Sequence, residues 1–445
     1  LAQNKTQELK EFCETSSPAL VADFLSALEP NEAWAALQCV SPQVAAEIFT
    51  YLEPDLQKEL VERLSRDQLA RLFSDMSADD RVDLFKSLPE DRREMILPAM
   101  AQAEREDIRR LSSFPEGTAG SVMTSDYATL PADISAAEAI NRLRREAPDR
   151  ETIYYAYVVD EKRRLVGFVS LKDLILASPE AKIEKIMHRD VVSACVNDDQ
   201  EDAARKIQKY DLIALPVTSP EGVLMGIITH DDALDIITQE QTEDMEKLMA
   251  ITGSHETGIY LHMSVLEHFR NRVGWVVVLA ILGLVSGYIV QRYEGLILQF
   301  GLLATFMPML TDTGGNTGSQ SATLVVRALA LREVSTRDAL KIVWKEFRVS
   351  LSLALVLALV AFGRVAFLAR NCIPAGYSLW TVGLAISTAL GLQVVTATLL
   401  GALLPLAVAS LGHDPAVVAS PALTTIVDIT GLFIYFATVK CFLWP

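Results

Sequence analysis

Five apolar runs, charged only at Arg364 and Asp428, lie in the chain from Val273 onward, and they limit the folds open to it more than any other feature. A helix needs about 20 apolar residues to cross a bilayer. The pattern therefore predicts a multidomain α-helical membrane protein with five transmembrane helices per subunit. The runs cover residues 273–290, 296–310, 349–368, 379–411 and 415–439.

Asp428 is the single carboxylate within the last of these runs. A charged side chain at membrane depth is costly, and it usually faces a bundle interior or a watery pathway that carries ions or protons. We therefore expect Asp428 to line a transport route. The alternative is an acid that is neutralised by protonation, or paired with a neighbouring helix, and serves packing alone.

Glycines and small polar residues continue the second run beyond residue 310. Irregular backbone at membrane depth is tolerated where it is buried in protein or lines a water-filled cavity. We expect this segment to be irregular and to line such a cavity. The alternative is that its glycines only let helices pack closely. We call the following residues of this segment the pore motif: Pro308, Gly314, Gly315, Asn316, Gly318 and Gln320.

Charge divides the chain into two parts. The residues before Val273 contain 50 acidic and 30 basic side chains, whereas the rest contains 7 acidic and 10 basic ones. An acidic surface repels nucleic acid and attracts cations. Basic residues gather just before the first run and between the second and third runs, and such segments are cytoplasmic. The sequence thus predicts a multipass protein of the cell membrane, with its acidic domains in the cytoplasm and its C-terminus outside.

An internal repeat of 12 residues marks the beginning of the acidic part. Apolar residues recur at this spacing, and each is followed by a helix-start signal, either proline at the first helical position or serine as an N-cap. Short helices stacked as a small solenoid are expected. The repeated apolar residues are Leu28, Val40, Leu52, Leu64, Met76 and Leu88.

A second, longer repeat follows. Residues 166–173 match residues 225–232, and in both copies a glycine precedes an aspartate by six positions. Residues 154–159 and 213–217 have the composition of strands, whereas 136–145 and 201–210 have helical spacing. These strand–turn–helix units resemble a tandem CBS pair, which is an α/β module.

The motifs together resemble those of the MgtE family of magnesium channels and transporters. The resemblance rests on the pore motif, with Arg327 behind it, and on the segment from Asp414 to Asp428. It implies a homodimer with a magnesium pore at the dimer axis. The implied domains are an acidic helical N domain (1–117), a tandem CBS pair (118–240), a connecting or plug helix (241–272) and a transmembrane pore domain (273–445).

The resemblance also implies roles for particular residues. Asp428 is the implied pore carboxylate, and Asp414 and Thr424 match further ion-contacting positions. In the N domain, Glu47, Asp79 and Asp83 match positions that face a magnesium-sensing cluster. The CBS pair implies an adenine nucleotide such as ATP, held by Tyr155, Ser170 and Asp173 or, in the second copy, by Thr229 and Asp232.

Acidic residues crowd the junction between the soluble and membrane parts. Carboxylates on separate elements repel one another, so a divalent ion that bridges them stabilises only the compact arrangement. We expect cytosolic Mg²⁺ bound here to close the pore, although each acid alone could be an ordinary solvated side chain. The residues are Asp199, Glu201, Asp202, Asp211, Asp232, Asp235, Glu240, Glu243 and Asp244.

Magnesium suits a single pore carboxylate per subunit. The ion holds its waters at about 2.0–2.1 Å and loses them reluctantly, whereas Ca²⁺ favours six to eight protein oxygens. A Mg²⁺-selective channel gated by Mg²⁺ is therefore our expectation. A proton-coupled secondary transporter that uses Asp428 as proton carrier is the alternative, and a nucleotide-sensing receptor without conduction is a weaker one. The sequence contains no P-loop, G-x-S-x-G or H-E-x-x-H motif, so we expect no enzyme.

Overall fold

The structure is a computed structural model that describes residues 6–147, 150–251, 263–368, 373–374, 376–418 and 421–443. Its contacts divide the chain into two compact units, Leu1–Glu240 and Gln241–Pro445. The first unit combines short helices with two small sheets, and the second is helical in the part that is described.

Nine short helices lie in the described residues that open the first unit, and each begins 12 residues after the one before, from Thr6 to Gln102. The repeated positions from Val40 to Leu88 are buried at the helix ends, and Leu28 is half-buried. A helix packs mainly on the helix two places further along the chain. The helices are α1 (Thr6–Thr15), α2 (Pro18–Ser26), α3 (Pro30–Leu37), α4 (Pro42–Thr50), α5 (Pro54–Arg63), α6 (Arg66–Asp75), α7 (Ala78–Ser87), α8 (Glu90–Ile96) and α9 (Gln102–Leu111).

Two three-stranded sheets of the same topology follow. In each, the first strand pairs in parallel with the second, and the second pairs antiparallel with the third. The strands and helices predicted from the longer repeat are present. The first copy contains β1 (Tyr127–Leu130), α10 (Ala136–Glu146), β2 (Thr152–Val159), β3 (Leu165–Ser170) and α11 (Leu171–Leu176); after α12 (Ile183–Ile186), the second contains β4 (Ala194–Cys195), α13 (Gln200–Tyr210), β5 (Ala214–Thr218), β6 (Leu224–Thr229) and α14 (His230–Leu248).

The glycine of each copy packs against the segment that opens the other copy. A Cβ at Gly167 would lie 2.8 Å from the carbonyl oxygen of His188, and one at Gly226 would lie 2.7 Å from that of Thr124. Backbone at this distance leaves no room for a larger side chain. The glycine–aspartate motif of the sequence therefore marks the places where the two copies interlock.

In the second unit, four helices of the described residues are long and apolar enough to cross a membrane. The longest, α19, has 32 residues, and α18 and α20 pack against it. The helices are α15 (Val265–Arg292), α18 (Ala339–Leu368), α19 (Leu379–Ser410) and α20 (Pro421–Leu443).

The second predicted run does not form one helix, so its predicted position is wrong. A short helix, α16 (Glu294–Gln299), and a 3₁₀ helix (Gly301–Phe306) precede a regular helix, α17 (Met307–Ala330). The prediction of irregular backbone in the pore motif is also wrong, because α17 contains all of it. Pro308 lies in the first helical turn, where its missing N–H costs nothing.

The range predicted for the connecting helix (241–272) overlaps two helices. Its beginning is the end of α14, which starts within the second repeat, and its last residues belong to α15, which starts at Val265. Residues 252–262 lie outside the described part of the chain.

Candidate ion site and carboxylate clusters

A buried glutamine lies where α17, α19 and α20 meet. Gln393 of α19 is fully buried, and its Nε2 donates a hydrogen bond of 3.0 Å to the carbonyl oxygen of Val427. A Cβ at Gly314 or at Gly431 would collide with its amide group. These two glycines therefore provide the space in which one polar side chain ties α19 to α20 at the level of α17.

The next turn of α17 is equally close to its neighbours. A Cβ at Gly318 would lie 3.2 Å from the carbonyl oxygen of Ala397, and one at Gly401 would overlap the backbone of Gly318. Small residues let helix backbones approach in membranes. The glycines of the pore motif thus serve helix packing, which was the alternative that the sequence left open.

Asp428 follows Val427 on α20 and so lies next to this packed core. Its side chain is half-buried, and within the described part of the chain its buried Oδ1 has no hydrogen-bond partner. Thr424 precedes it by one helical turn and packs on Gly315, where a Cβ would lie 3.1 Å from Thr424 Cγ2. An unsatisfied carboxylate oxygen at membrane depth is the group that a cation or its water would satisfy.

The opposite side of α17 is polar and exposed in the single chain. Asp312, Asn316 and Gln320 follow one another at intervals of four residues and are all exposed, and Pro308 continues the row. Asn316 Nδ2 donates to Asp312 Oδ1 at 3.2 Å. The pore motif thus divides into buried glycines on one face of α17 and exposed polar residues on the other.

Asp414 is held by an ion pair rather than lying open. Lys247, near the end of α14, is 2.9 Å from Asp414 Oδ2 and also pairs with Glu243 one turn earlier. Asp414 Oδ1 accepts a hydrogen bond of 2.8 Å from the backbone of Ala416. Although burial opposes it, bonding to the two carboxylates raises the pKa of Lys247 above its ordinary value. The end of α14 is therefore anchored to the segment between α19 and α20.

Carboxylates of α7 and of the start of α14 come together in the first unit. Burial, followed by repulsion from Asp79, raises the pKa of Asp80 to about 6 and that of Asp232 to about 7. Burial, followed by repulsion from Asp79 and Asp232, raises the pKa of Glu151 to about 8. One buried oxygen of Asp79 has no hydrogen-bond partner among the described residues. We call Asp79, Asp80, Glu151, Asp231, Asp232 and Asp235 the α7–α14 cluster.

Two other predicted N-domain acids lie at the margin of this cluster. Glu47 and the cluster residues Asp231 and Asp80 all act on Tyr51, whose pKa is raised first by burial and then by these charges. Asp83 is 73% exposed and lies 3.9 Å from Lys86. No three acidic, histidine or cysteine side chains of the described residues form a closed metal cage.

The predicted acids around α13 are used locally. Asp199 caps the helix by accepting from the backbone of Glu201 and Asp202, and Glu201 pairs with Arg205. Asp211 ends the helix in a left-handed conformation. Glu240 accepts a hydrogen bond of 2.6 Å from Gln200. Asp244 lies one residue beyond Glu243 on α14.

The predicted nucleotide residues are adjacent in the first CBS-like copy. Tyr155 pairs with Ser170 across β2 and β3, and Ser170 Oγ is 2.6 Å from Asp173 Oδ2. His188 Nε2 lies 3.0 Å from the same oxygen. Burial alone would raise the pKa of Asp173, but the hydrogen bonds from Ser170 and His188 hold it below its ordinary value. In the second copy, Thr229 bonds to Asp232 in the same way.

Comparisons with known proteins agree across both units. A family model described as MgtE, divalent cation transporter, matches residues 307–438, the MgtE intracellular N domain matches 16–117, and CBS domains match 119–180 and 183–239. The magnesium transporter MgtE of Thermus thermophilus is 40% identical over 76% of this chain and 73% of its own length. The chain belongs to the MgtE family.

Further relatives lead to the same family. The MgtE of Bacillus subtilis is 34% identical over 77% of this chain and 73% of its own length. A crystal structure of the soluble part of a magnesium transporter is 31% identical, with a TM-score of 0.51, and covers 53% of this chain and 93% of its own. MgtE proteins are transporters and not enzymes, so the chain is a divalent-cation transporter with soluble N and CBS domains.

Several residues of these sites were not predicted from the sequence. Asp312 could have been found, because Asp312, Asn316 and Gln320 recur every four residues and so share one helix face. Asp80 and Asp231 each adjoin an acid that was chosen. Gln393 and Lys247 gave no local signal, since their partners, Val427 and Asp414, are distant in sequence.

Proposed function

We propose that this MgtE protein is a Mg²⁺-selective, channel-type transporter that cytosolic Mg²⁺ closes. The observation that carries the proposal is the position of Asp428. Its unsatisfied oxygen lies among apolar helices, beside the tight contact of α17 with α20. A carboxylate in such a place is retained for an ion pathway.

Hydrated magnesium fits the polar groups near Asp428. The described residues form no cage of three or more acidic, histidine or cysteine ligands, so a cation here would keep most of its water. Mg²⁺ is the ion that keeps several waters and is bound by one or two carboxylates. Soft metals would require cysteine or histidine ligands.

The working unit in this proposal is a homodimer. The row formed by Asp312, Asn316 and Gln320 is exposed in the single chain, although α17 has the length of a membrane-crossing helix at about 36 Å. Lipid is a poor neighbour for such a row. A second copy related by twofold symmetry would enclose the row and bring two Asp428 side chains to a common axis.

With α17 as the fifth crossing helix, the orientation follows. Lys and Arg concentrate from Arg327, near the end of α17, to Arg348 in α18, and such a basic segment favours the cytoplasmic side for this connection. An odd number of crossings then puts the N and CBS domains in the cytoplasm and the C-terminus outside.

Gating in the proposal depends on the α7–α14 cluster. Asp80 and Asp232 have raised pKa values because the compact arrangement brings carboxylates together. A divalent ion between them removes the repulsion only in that arrangement, so binding shifts the population toward it. α14 continues to Lys247, which is bonded to Asp414 near the start of α20. One helix thus joins the cluster to the segment that precedes Asp428.

ATP is the proposed ligand of the first CBS copy. Tyr155 offers a ring for stacking a base, and Ser170 with Asp173 offers groups for a ribose. Stacking on an aromatic side chain is worth about 1–3 kcal/mol per base. Nucleotide here would regulate the transporter rather than fuel it.

Calorimetric titration of the purified full-length protein with ATP tests this site. We expect Tyr155→Ala to weaken binding about tenfold, because it removes the stacking surface. Tyr154→Ala is the matched control, since Tyr154 is 60% exposed on the other side of the same strand, and it should bind as the wild type does. Absence of binding to the wild type, or equal loss in both variants, rejects the assignment.

A proteoliposome uptake assay tests the proposed function as a whole. We expect the reconstituted wild type to admit Mg²⁺ down its gradient without ATP and without a pH gradient. Empty liposomes provide the baseline, and uptake no faster than that baseline would reject the proposal.

A further inference from the structure

Asp312 is a second carboxylate at the depth of Asp428. Contacts pair Gly314 with Val427 and Gly318 with Leu423, so α17 and α20 run antiparallel. Gly315 packs on Thr424. Because the helices are antiparallel, Asp428, one turn after Thr424, lies opposite the residue one turn before Gly315, which is residue 311. Asp312 is the next residue of α17. The two carboxylates therefore lie at nearly the same level along the bundle.

This level is far from both ends of the bundle. Asp428 lies about 11 Å from the first residue of α20 and about 22 Å from the last, at 1.5 Å per residue. An aspartate side chain is too short to reach an interface over these distances. Asp312 therefore requires a polar neighbour at membrane depth.

The packing of α17 restricts where that neighbour can lie. Gly314, Gly315 and Gly318 occupy the buried face, whereas Asp312 and Asn316 are exposed on the other. Asn316 Nδ2 donates to one oxygen of Asp312 and orients the carboxylate along this exposed face. The carboxylate thus points away from the helices of its own chain that cover the glycines.

We propose that Asp312 faces the ion pathway and forms, with its copy in the second subunit, a second pair of carboxylates beside Asp428. This inference rests on the proposed function, because it takes the exposed face of α17 to border the pathway. Asp312 would attract the hydrated dication through its water shell and would raise occupancy of the pathway when Mg²⁺ is scarce. It would act as a specificity-determining residue that favours divalent over monovalent ions.

Coulomb's law sets the expected size of the effect. In water, one carboxylate about 8 Å from a dication changes its occupancy about fivefold, and two act together in a dimer. Asp312→Asn should therefore raise the half-saturating Mg²⁺ concentration for transport at least about tenfold. Asparagine is isosteric and its oxygen still accepts from Asn316, so the variant removes charge and little else.

The experiment measures Mg²⁺ uptake by proteoliposomes over a range of Mg²⁺ concentrations. Asp312→Glu should stay near the wild type, because it keeps the charge. Glu333→Gln is the matched control, since it removes an exposed carboxylate from the connection between α17 and α18, and it should have no effect. An unchanged half-saturating concentration in Asp312→Asn, or an equal rise in Glu333→Gln, overturns the inference.

A labelling measurement separates this inference from the proposed function, because it does not depend on transport. Asp312→Cys, in a background without other cysteines, should react with a charged, membrane-impermeant thiosulfonate, and Mg²⁺ should slow the reaction. A thiol that reacts only with an apolar reagent faces lipid, and that result overturns the inference even if the wild type transports Mg²⁺. If the wild type admits no Mg²⁺, the proposed function fails, and the role of Asp312 fails with it.

Discussion

Asp428→Asn should reduce Mg²⁺ uptake by proteoliposomes at least about tenfold, because the two subunits would lose the two negative charges that Asp428 presents to the dication. The amide keeps the size of the side chain, so the packing of Val427 against Gly314 should persist. Asp428→Glu keeps the charge and should retain part of the uptake. The measurement is the initial rate of Mg²⁺ entry, followed with a fluorescent indicator inside the vesicles.

Two controls separate loss of the Asp428 charge from a general effect of charge removal or misassembly. Glu294→Gln removes an exposed carboxylate at the start of α16, and its uptake should equal that of the wild type. Size-exclusion profiles should be the same for all variants. Wild-type uptake by a correctly assembled Asp428→Asn protein would show that the carboxylate serves packing alone.

Magnesium should protect the first unit of the full-length protein from proteolysis at pH 7.5 and should fail to do so at pH 5. Asp80 and Asp232 have pKa values of about 6 and about 7 in the compact arrangement, against an ordinary value of 3.8. Carboxyls with raised pKa values bind protons more readily in the compact state, so without Mg²⁺ its stability is greatest at low pH. This stability of the compact arrangement falls as the pH rises from about 4 to about 7. At pH 7.5 Mg²⁺ replaces the missing protons, whereas at pH 5 protons already suppress the repulsion.

The measurement is the rate of limited proteolysis in detergent, with millimolar Mg²⁺ or with EDTA. We expect cleavage at pH 7.5 to be about tenfold slower with Mg²⁺, as linkage predicts for a ligand well above its Kd. Asp79→Asn combined with Asp232→Asn should be protected without Mg²⁺. Asp133→Asn, an exposed acid before α10, should respond as the wild type does. Cleavage that is indifferent to Mg²⁺ at pH 7.5, or equally protected at pH 5, would contradict a sensing role for the α7–α14 cluster.

The sequence predicted well those features that depend on local signals. Proline at the first helical position and serine caps mark helix starts, and α3 to α7 begin where Pro30, Pro42, Pro54, Ser65 and Ser77 placed them. Short segments with strand-like composition predicted the CBS-like strands. Both kinds of signal act within a few residues of the backbone they control.

The glycine-rich part of α17 shows where such reasoning fails. Glycine is compatible with irregular backbone and also with a helix that others approach closely, and the sequence does not distinguish these two uses. The decision depends on Gln393 and Ala397, which lie on another helix and occupy the space that Gly314 and Gly318 leave. Polar residues of α17 also lower its hydropathy, so the apolar run was placed too early in the chain.

The carboxylate clusters illustrate a second limit. Asp79 and Asp232 are far apart in the sequence, and only the packing of α7 near the start of α14 brings their charges together. By contrast, Asp199 and Glu201 lie close to the predicted junction but serve as a helix cap and in an ion pair. The density of acidic residues along the sequence therefore does not predict which carboxylates lie close together in the fold.

Current through the purified protein in a planar bilayer, with Mg²⁺ as the permeant cation and equal pH on both sides, tests the proposed channel most directly. We predict a current that reverses at the Mg²⁺ equilibrium potential, and that decreases when millimolar Mg²⁺ is added on the side of the N and CBS domains. Transport that requires a pH gradient, with no current in its absence, would contradict the channel and favour a proton-coupled carrier.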